Sequence, residues 1–199
     1  MREDIFKGLG VISLSLIIGC SAAMVPYTKD PQKKLANAKD LFDFQDRPLP
    51  AERLLVEAIT SFKKSKDDVG LADAYRLYGF FFQSEAVERW EHVYRRQGFL
   101  DKTATFEGRK NKALQYFEEA RALYSEHHVY DRMTNVDLNL GFAYERNRQW
   151  PEACKEFDRA REDYNKNVQD HPNSKPTVPE GFSNFHEFII AQKVRAKCE

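Results

Sequence analysis

The 199-residue chain lacks the features by which enzymes and nucleic-acid-binding proteins are usually recognised. Its 31 Lys and Arg residues are balanced by 31 Asp and Glu residues, so its formal net charge is zero. A nucleic-acid-binding protein normally has a basic excess, which this composition does not provide. The sequence also contains no Gly-rich phosphate loop, no G-x-S-x-G and no H-E-x-x-H. We therefore expect no enzymatic activity, no cofactor and no nucleic-acid partner.

Metal-ligand patterns are absent from the sequence as well. His127 and His128 are adjacent, so on a helix their side chains point about 100° apart and do not easily share one ion. Carboxylate pairs such as Glu118 and Glu119 are common on solvated helix faces, and no nucleophile or ligand set accompanies them. The sequence predicts neither a metal site nor catalytic residues.

No apolar run is long enough to span a bilayer, which takes about 20 residues. The run from Gly8 to Gly19 instead has the length of the apolar region of a secretory signal peptide. The segment Leu16-Ile17-Ile18-Gly19-Cys20 resembles the lipobox of bacterial lipoproteins. The resemblance implies that residues 1–19 are removed and that Cys20 carries a diacyl group on its sulfur. The alternative is an ordinary signal peptide with an incidental cysteine.

The residues after Cys20 indicate where such a lipoprotein would lie. In Gram-negative lipoproteins an Asp directly after the lipidated Cys tends to signal inner-membrane retention, whereas this chain has Ser21 there. The resemblance therefore implies an outer-membrane anchor, with the folded part facing the periplasm. Residues 20–31 show no apolar periodicity, and we expect them to form a tether between the lipid and the fold.

Cysteine is scarce, with three residues in the whole chain. If Cys20 carries lipid, Cys154 and Cys198 are the two that remain. An oxidising compartment permits one disulfide between them. The sequence does not show whether they lie close together, so both the bridged and the free forms stay open at this point.

A pattern of small and large residues recurs along the chain. Its three copies are Ala51, Leu55 and Ala58, then Ala113, Phe117 and Ala120, and finally Ala153, Phe157 and Ala160. The spacing i, i+4, i+7 places each triple on one face of a helix. Small residues let a neighbouring helix come close while the large residue fills the space beside them. The pattern predicts an all-α fold of antiparallel helix hairpins.

The hairpins resemble the tetratricopeptide repeat. In the last hairpin, the consensus positions are occupied with the family's spacing by Leu140, Gly141, Tyr144, Ala153, Phe157 and Ala160. The middle hairpin matches through Tyr78, Gly79 and Phe82 on its first helix. The resemblance implies an α-solenoid over residues 32–168, with a degenerate first helix near its start. We expect residues 169–199 to form a loop and a C-terminal capping helix, because a solenoid end needs its apolar face covered.

Two segments depart from the repeat. The middle hairpin carries about 22 extra residues, since 34 positions separate Gly79 from Ala113 and 12 separate Gly141 from Ala153. We expect both helices of this hairpin to be extended over residues 84–106, with a turn near Gly98. The aromatic tip of that extension is a second candidate surface, formed by Trp90, Tyr94 and Phe99. For the capping helix, the predicted inward residues are Phe182, Phe185, Ile189 and Val194.

In the repeat family, the first helix of each hairpin lines a concave face that binds peptides or partner loops. The resemblance places eight residues of this chain in that groove: Asp73, Arg76, Phe80, Gln83, Asn135, Leu138, Phe142 and Glu145. Phe80 and Phe142 are apolar where a solvated face would suffice. The alternative is that further helices or the N-terminal segment cover them. Arg76 either binds a partner carboxylate or pairs with Asp73 on its own helix.

The resemblance implies a protein-binding adaptor in the Gram-negative envelope, active in assembly, secretion or pilus biogenesis. An immunity or accessory lipoprotein that binds a secreted toxin is the alternative, and an envelope enzyme is a minor one. The first two differ in phenotype, because loss of an immunity protein leaves cells vulnerable to one toxin. Loss of an adaptor instead mislocalises an envelope assembly.

Overall fold

A computed structural model describes Val25, residues 27–173 and residues 178–198. In this part of the chain all regular structure is helical, as the repeat pattern predicts. The nine helices are α1 Pro31–Asp43, α2 Pro48–Ser65, α3 Asp68–Gln83, α4 Glu85–Arg89, α5 Glu91–Gln97, α6 Arg109–Glu126, α7 Tyr130–Arg146, α8 Trp150–Asp170 and α9 Phe185–Arg195. Within the same residues, no helix has the length and apolar composition needed to cross a bilayer. The predicted signal segment 1–19 and Cys20 lie outside the described residues.

Local sequence signals define the helix ends. The Asp30 side chain accepts hydrogen bonds from the first turn of α1, and Asp67 does the same for α3. These side chains satisfy backbone N–H groups that have no partner within the helix. Three short connections contain a residue in the left-handed region, namely Lys66, His128 and Arg148, with φ between 55° and 59°. Each reverses the chain, so that consecutive long helices run antiparallel.

Consecutive long helices pack against each other in chain order. The hairpins are α1 with α2, α3 with α6, and α7 with α8, and α9 packs on α8. A methyl group at Gly79 would lie 2.7 Å from the ring of Phe117, and one at Gly141 would lie 2.6 Å from the ring of Phe157. Both rings are fully buried. Glycine therefore lets α3 approach α6, and lets α7 approach α8, closely enough for an aromatic ring to fill the contact.

Residues 84–106 differ from the prediction of two extended helices. The α3 helix ends at Gln83 because the Ser84 side chain caps the short helix α4, and α5 ends at Gln97, where Gly98 follows with φ 72°. Residues 98–108 are then non-helical. Tyr94 and Phe99 stack with ring centroids 4.3 Å apart and are each 1% exposed. The expectation of an exposed aromatic tip is wrong, because this segment folds back and contributes to the core.

The C-terminal helix α9 covers the last helix face, with the predicted residues Phe185 and Ile189 facing inward and Val194 facing outward. Phe185 stacks on Tyr164 of α8 with ring centroids 4.1 Å apart, and Ile189 is fully buried. Val194 is 71% exposed, so its predicted inward position is wrong. The Asn184 side chain caps α9, and the inward face of the helix that begins there contains Phe188 instead.

A disulfide fixes the chain that follows α9. It joins Cys154 of α8 to Cys198, with the two Cα atoms 5.6 Å apart. Two ion pairs act beside it, from Lys193 to Asp158 at 2.8 Å and from Arg195 to Glu145 at 2.6 Å. The C-terminal helix is thus tied to both helices of the last hairpin.

Candidate partner-binding groove

Three first helices, α1, α3 and α7, line one face of the molecule. Arg76 of α3 donates a hydrogen bond to Asn135 of α7 at 3.1 Å, and Arg146 of α7 donates to Gln83 of α3 at 2.8 Å. A cleft of about 490 Å³ lies where the three helices meet. The structure therefore brings four predicted residues, Arg76, Gln83, Asn135 and Asp73, to the junction of α3 and α7.

Asp73 has a structural role in this junction. It is 8% exposed, accepts a 2.6 Å hydrogen bond from the Tyr124 hydroxyl and forms an ion pair with Arg132. Burial is the largest cause that raises the pKa of Tyr124 above its usual range. Asp73 thus links α3 to α6 and α7, so the pairing with Arg76 on its own helix is not formed.

The Arg76 side chain is half-buried on the wall of the cleft. One Nη atom bonds Asn135, and the guanidinium lies 5.7 Å from the ring centroid of Phe80. Arg132 and Lys39 line the same cleft, so three cations surround it. Cation–π contact with Phe80 contributes about 0.5–1 kcal/mol at such a partly exposed site. The guanidinium is therefore held in place, with its Nε atom buried and without a hydrogen-bond partner.

Phe80 and Phe142 are both half-buried and have equivalent surroundings. Phe80 is half-buried, packs edge-on against Phe117 at 5.1 Å and lines a cleft of about 330 Å³ between α1 and α3. Phe142 packs against Phe157 in the same way at 5.5 Å. Its outer side faces the Arg195 guanidinium of α9, 5.4 Å from the ring centroid. The guanidinium beside Phe142 comes from a further helix, whereas the guanidinium beside Phe80 comes from its own helix.

Glu145 and Leu138, the other predicted residues of α7, also belong to the α9 side of the groove. Glu145 accepts two hydrogen bonds of 2.6 Å from Arg195, which occupies both of its oxygens. Leu138 lines a separate, mostly apolar cleft of about 380 Å³ with Tyr164 and Phe185. The helix α9 therefore closes the groove on this side, and the open part lies along α1, α3 and α7.

Sequence reasoning missed the residues that α1 contributes. Lys39 lines the cleft between α1, α3 and α7 as well as the cleft between α1 and α3, and Leu35 lines the first of these. The α1 helix matches the repeat consensus poorly, so no groove positions could be assigned to it. Arg132 was also missed, although its position three residues before Asn135 places it on the same face of α7.

Charged groups are buried between the second helices as well. Arg121 Nε of α6 donates to Asp137 Oδ1 of α7 at 2.6 Å, and its Nη2 lies 3.6 Å from Asp163 Oδ2 of α8. Desolvation raises the pKa of Asp137. The Arg121 guanidinium thus joins α6, α7 and α8 through the buried carboxylates of Asp137 and Asp163. Among the described residues, no group of His, Cys, Asp and Glu is arranged to hold a metal ion.

The open groove combines an apolar floor with charges of both signs. Leu77 and Phe80 form part of the floor, while Lys39, Arg76 and Asp131 stand around it. Such a surface is suited to a polypeptide segment that places an apolar side chain between polar groups. Comparisons of the chain with protein-family models, with curated proteins and with solved structures give no match.

Proposed function

We propose that this chain is a lipid-anchored, tetratricopeptide-like adaptor that binds a protein partner in the groove along α1, α3 and α7. Its role is binding rather than catalysis, and its place is the periplasmic face of the Gram-negative outer membrane. Two equivalent contacts support a repeat. Gly79 packs on Phe117 in the α3–α6 hairpin, and Gly141 packs on Phe157 in the α7–α8 hairpin. The two glycines are 62 positions apart and the two phenylalanines are 40 positions apart.

The observation that carries the binding role is the partly exposed ring of Phe80 in the cleft between α1 and α3. A half-buried aromatic ring beside a held guanidinium provides an anchor pocket and a charged contact in one place. Such aromatic and arginine positions supply most of the binding free energy in protein interfaces. On the α9 side of the groove, the equivalent ring of Phe142 is also half-buried, but there α9 supplies the neighbouring Arg195, which takes up both oxygens of Glu145. The partner is therefore expected to contact α1 and α3 first.

Substitution of Phe80 by Glu tests this role. The change places a charge in the cleft and should weaken partner binding at least tenfold, because it removes an apolar anchor. The full chain is crosslinked in envelopes, and captured proteins are identified by mass spectrometry. Val194→Glu is the matched control, since Val194 is 71% exposed on α9, outside the groove. Circular dichroism checks that both variants remain helical.

Binding in the groove is supported if one protein is captured by wild type and by Val194→Glu but is not captured by Phe80→Glu. Equal capture by all three chains would contradict it. The identity of the captured protein separates the candidate roles, since an adaptor captures an envelope component and an immunity protein captures a toxin. A deletion strain that becomes sensitive to that one toxin would favour immunity.

A further inference from the structure

A cluster of lysines lies at the end of the molecule where the chain enters the fold. The ion pair between Lys34 Nζ and Glu57 Oε2, 2.7 Å apart, fixes the register of α1 against α2. Because these helices are antiparallel, the start of α1 lies beside the end of α2. The lysine end comprises five exposed residues, Lys29, Lys33, Lys63, Lys64 and Lys66. In the part of the chain that the structure describes, none of the five forms an ion pair with a carboxylate.

Three acidic side chains that neighbour these lysines in the sequence already have partners. Asp30 accepts hydrogen bonds of 2.9 and 3.3 Å from backbone N–H groups of α1. Asp67 accepts one of 2.8 Å from the first turn of α3, and Asp68 lies 3.4 Å from His127. The two capping carboxylates complement the positive ends of helix dipoles, and together with Asp68 they offset only part of the charge of the five lysines. The lysine end is therefore a positive surface on a chain of zero net charge.

The position of this end relative to the anchor follows from chain length, and this step rests on the proposed lipidation of Cys20. Val25 packs against the core, five residues after Cys20. Five extended residues span at most about 18 Å. The far end of α2, an 18-residue helix, lies about 27 Å from the lysine end. The chain enters the helices at Asp30, the cap of α1, so the lysine end is the end of the fold from which the tether to Cys20 leaves.

We propose that the lysine end lies on the membrane and binds the anionic headgroups of phospholipids. The charges are complementary, and a lysine near an anionic surface strengthens binding about fivefold. Tyr27 stands at the same end and is 85% exposed, and its apolar ring with a polar hydroxyl suits a membrane interface. Lipid and lysines together orient the helices, so that the opposite end points away from the bilayer.

The test measures lysine reactivity in the lipidated full chain. The protein is reconstituted into vesicles of phosphatidylcholine, either alone or with phosphatidylglycerol, and is treated with an amine-reactive reagent. Mass spectrometry should show Lys63, Lys64 and Lys66 protected about tenfold by phosphatidylglycerol, with the protection lost in high salt. Lys110 and Lys155 serve as internal controls. They are exposed near the starts of α6 and α8, at the opposite end of the helices, and should stay reactive.

A triple variant, with Lys63, Lys64 and Lys66 each changed to Gln, provides the second measurement. In it, the protection of Lys29 and Lys33 should fall to the level seen with phosphatidylcholine alone. The control variant, in which Lys110 and Lys155 are changed to Gln, should keep that protection. Lysines at the end of α2 also favour the helix dipole, so thermal unfolding of both variants is followed by circular dichroism.

The outcomes separate this inference from the proposed anchor. A lipidated chain that floats with vesicles, but labels equally with and without phosphatidylglycerol, overturns the lysine surface and leaves the anchor standing. Protection that persists in detergent micelles indicates a protein contact, such as a second copy, and also overturns it. An intact mass without acyl groups on the mature chain overturns the anchor and this inference together.

Discussion

Glu52 of α2 is a buried carboxyl group that holds the non-helical segment 98–108 against the helices. It is 2% exposed and accepts hydrogen bonds from the Tyr78 hydroxyl at 2.8 Å and from the Leu100 N–H at 2.7 Å. Burial raises the pKa of Glu52 to about 7, although both hydrogen bonds lower it. One side chain therefore ties α2, α3 and the inserted segment together, at the cost of desolvating its charged form.

The raised pKa of Glu52 predicts a dependence of stability on pH. The folded state keeps a proton that the unfolded state loses near 4.5, so the stabilisation is complete below pH 4.5 and is lost as the pH rises to about 7. Gln keeps the acceptor without ionising. As the pH rises over this range, the free energy of unfolding should therefore fall less in Glu52→Gln than in wild type. The difference between the two decreases should reach up to about 3 kcal/mol. Urea unfolding from pH 4.5 to 8 measures it.

Two further variants control for this effect. Glu85→Gln changes a carboxylate whose side chain is 90% exposed and should leave the pH profile of wild type unchanged. Glu52→Ala removes the acceptor and should destabilise the fold at every pH, because the Leu100 N–H and the Tyr78 hydroxyl lose their partner. A profile of Glu52→Gln parallel to that of wild type would contradict the assignment.

At the scale of helices, glycine sets how closely the two members of a hairpin approach. A Cβ at Gly79 would lie 2.7 Å from Phe117, a ring that is completely buried and cannot move without disturbing its neighbours. Gly79→Ala should lower the free energy of unfolding by about 1–3 kcal/mol, despite the better helix propensity of Ala. Urea denaturation checks the loss.

A double-mutant cycle identifies the cause of that loss. Combining Gly79→Ala with Phe117→Leu should cost less than the sum of the two single changes, because the smaller side chain makes room for the methyl group. Gly108→Ala is the comparison, since Gly108 has φ −83° and its added Cβ would meet only Thr105, 3.0 Å from Oγ1 and 4.0 Å from the backbone oxygen. Gly108 is the N-cap of α6, so its replacement should carry a modest capping loss, and combining it with Phe117→Leu should be additive. If the effects of Gly79→Ala and Phe117→Leu are strictly additive, contact with the Phe117 ring is not the cause of the stability lost in Gly79→Ala.

The elements also show which features were readable from the sequence. The recurring triples predicted α2, α6 and α8, because small and large residues at helical spacing have few other uses. The break at Ser84 was missed, since an aromatic-rich segment fits an extended helix as well as a folded-back one. In α9, Phe185 and Ile189 face inward as predicted, but Val194 lies nine residues after Phe185, which at 100° per residue places it on the opposite face. The engagement of Asp73 was also missed, since Tyr124 lies 51 positions away.

At the scale of the whole molecule, α9 covers an apolar face that would otherwise be open on α8. Ile189 is fully buried against α8, while its neighbour Ile190 is 48% exposed. Ile189→Asp places an unpaired charge in that contact and should detach α9, exposing contiguous apolar surface. The disulfide between Cys154 and Cys198 still holds the chain end, so the detached helix stays tethered.

The consequence of detachment is association between molecules through the exposed face. Ile189→Asp should therefore elute as larger, concentration-dependent species in size-exclusion chromatography with light scattering, and hydrogen exchange across α9 should speed up. Ile190→Asp makes the same chemical change one residue away, on the solvent side, so it should match wild type in both measurements. If Ile189→Asp also matches wild type, the packing of α9 is not what keeps the end of the helical array from associating.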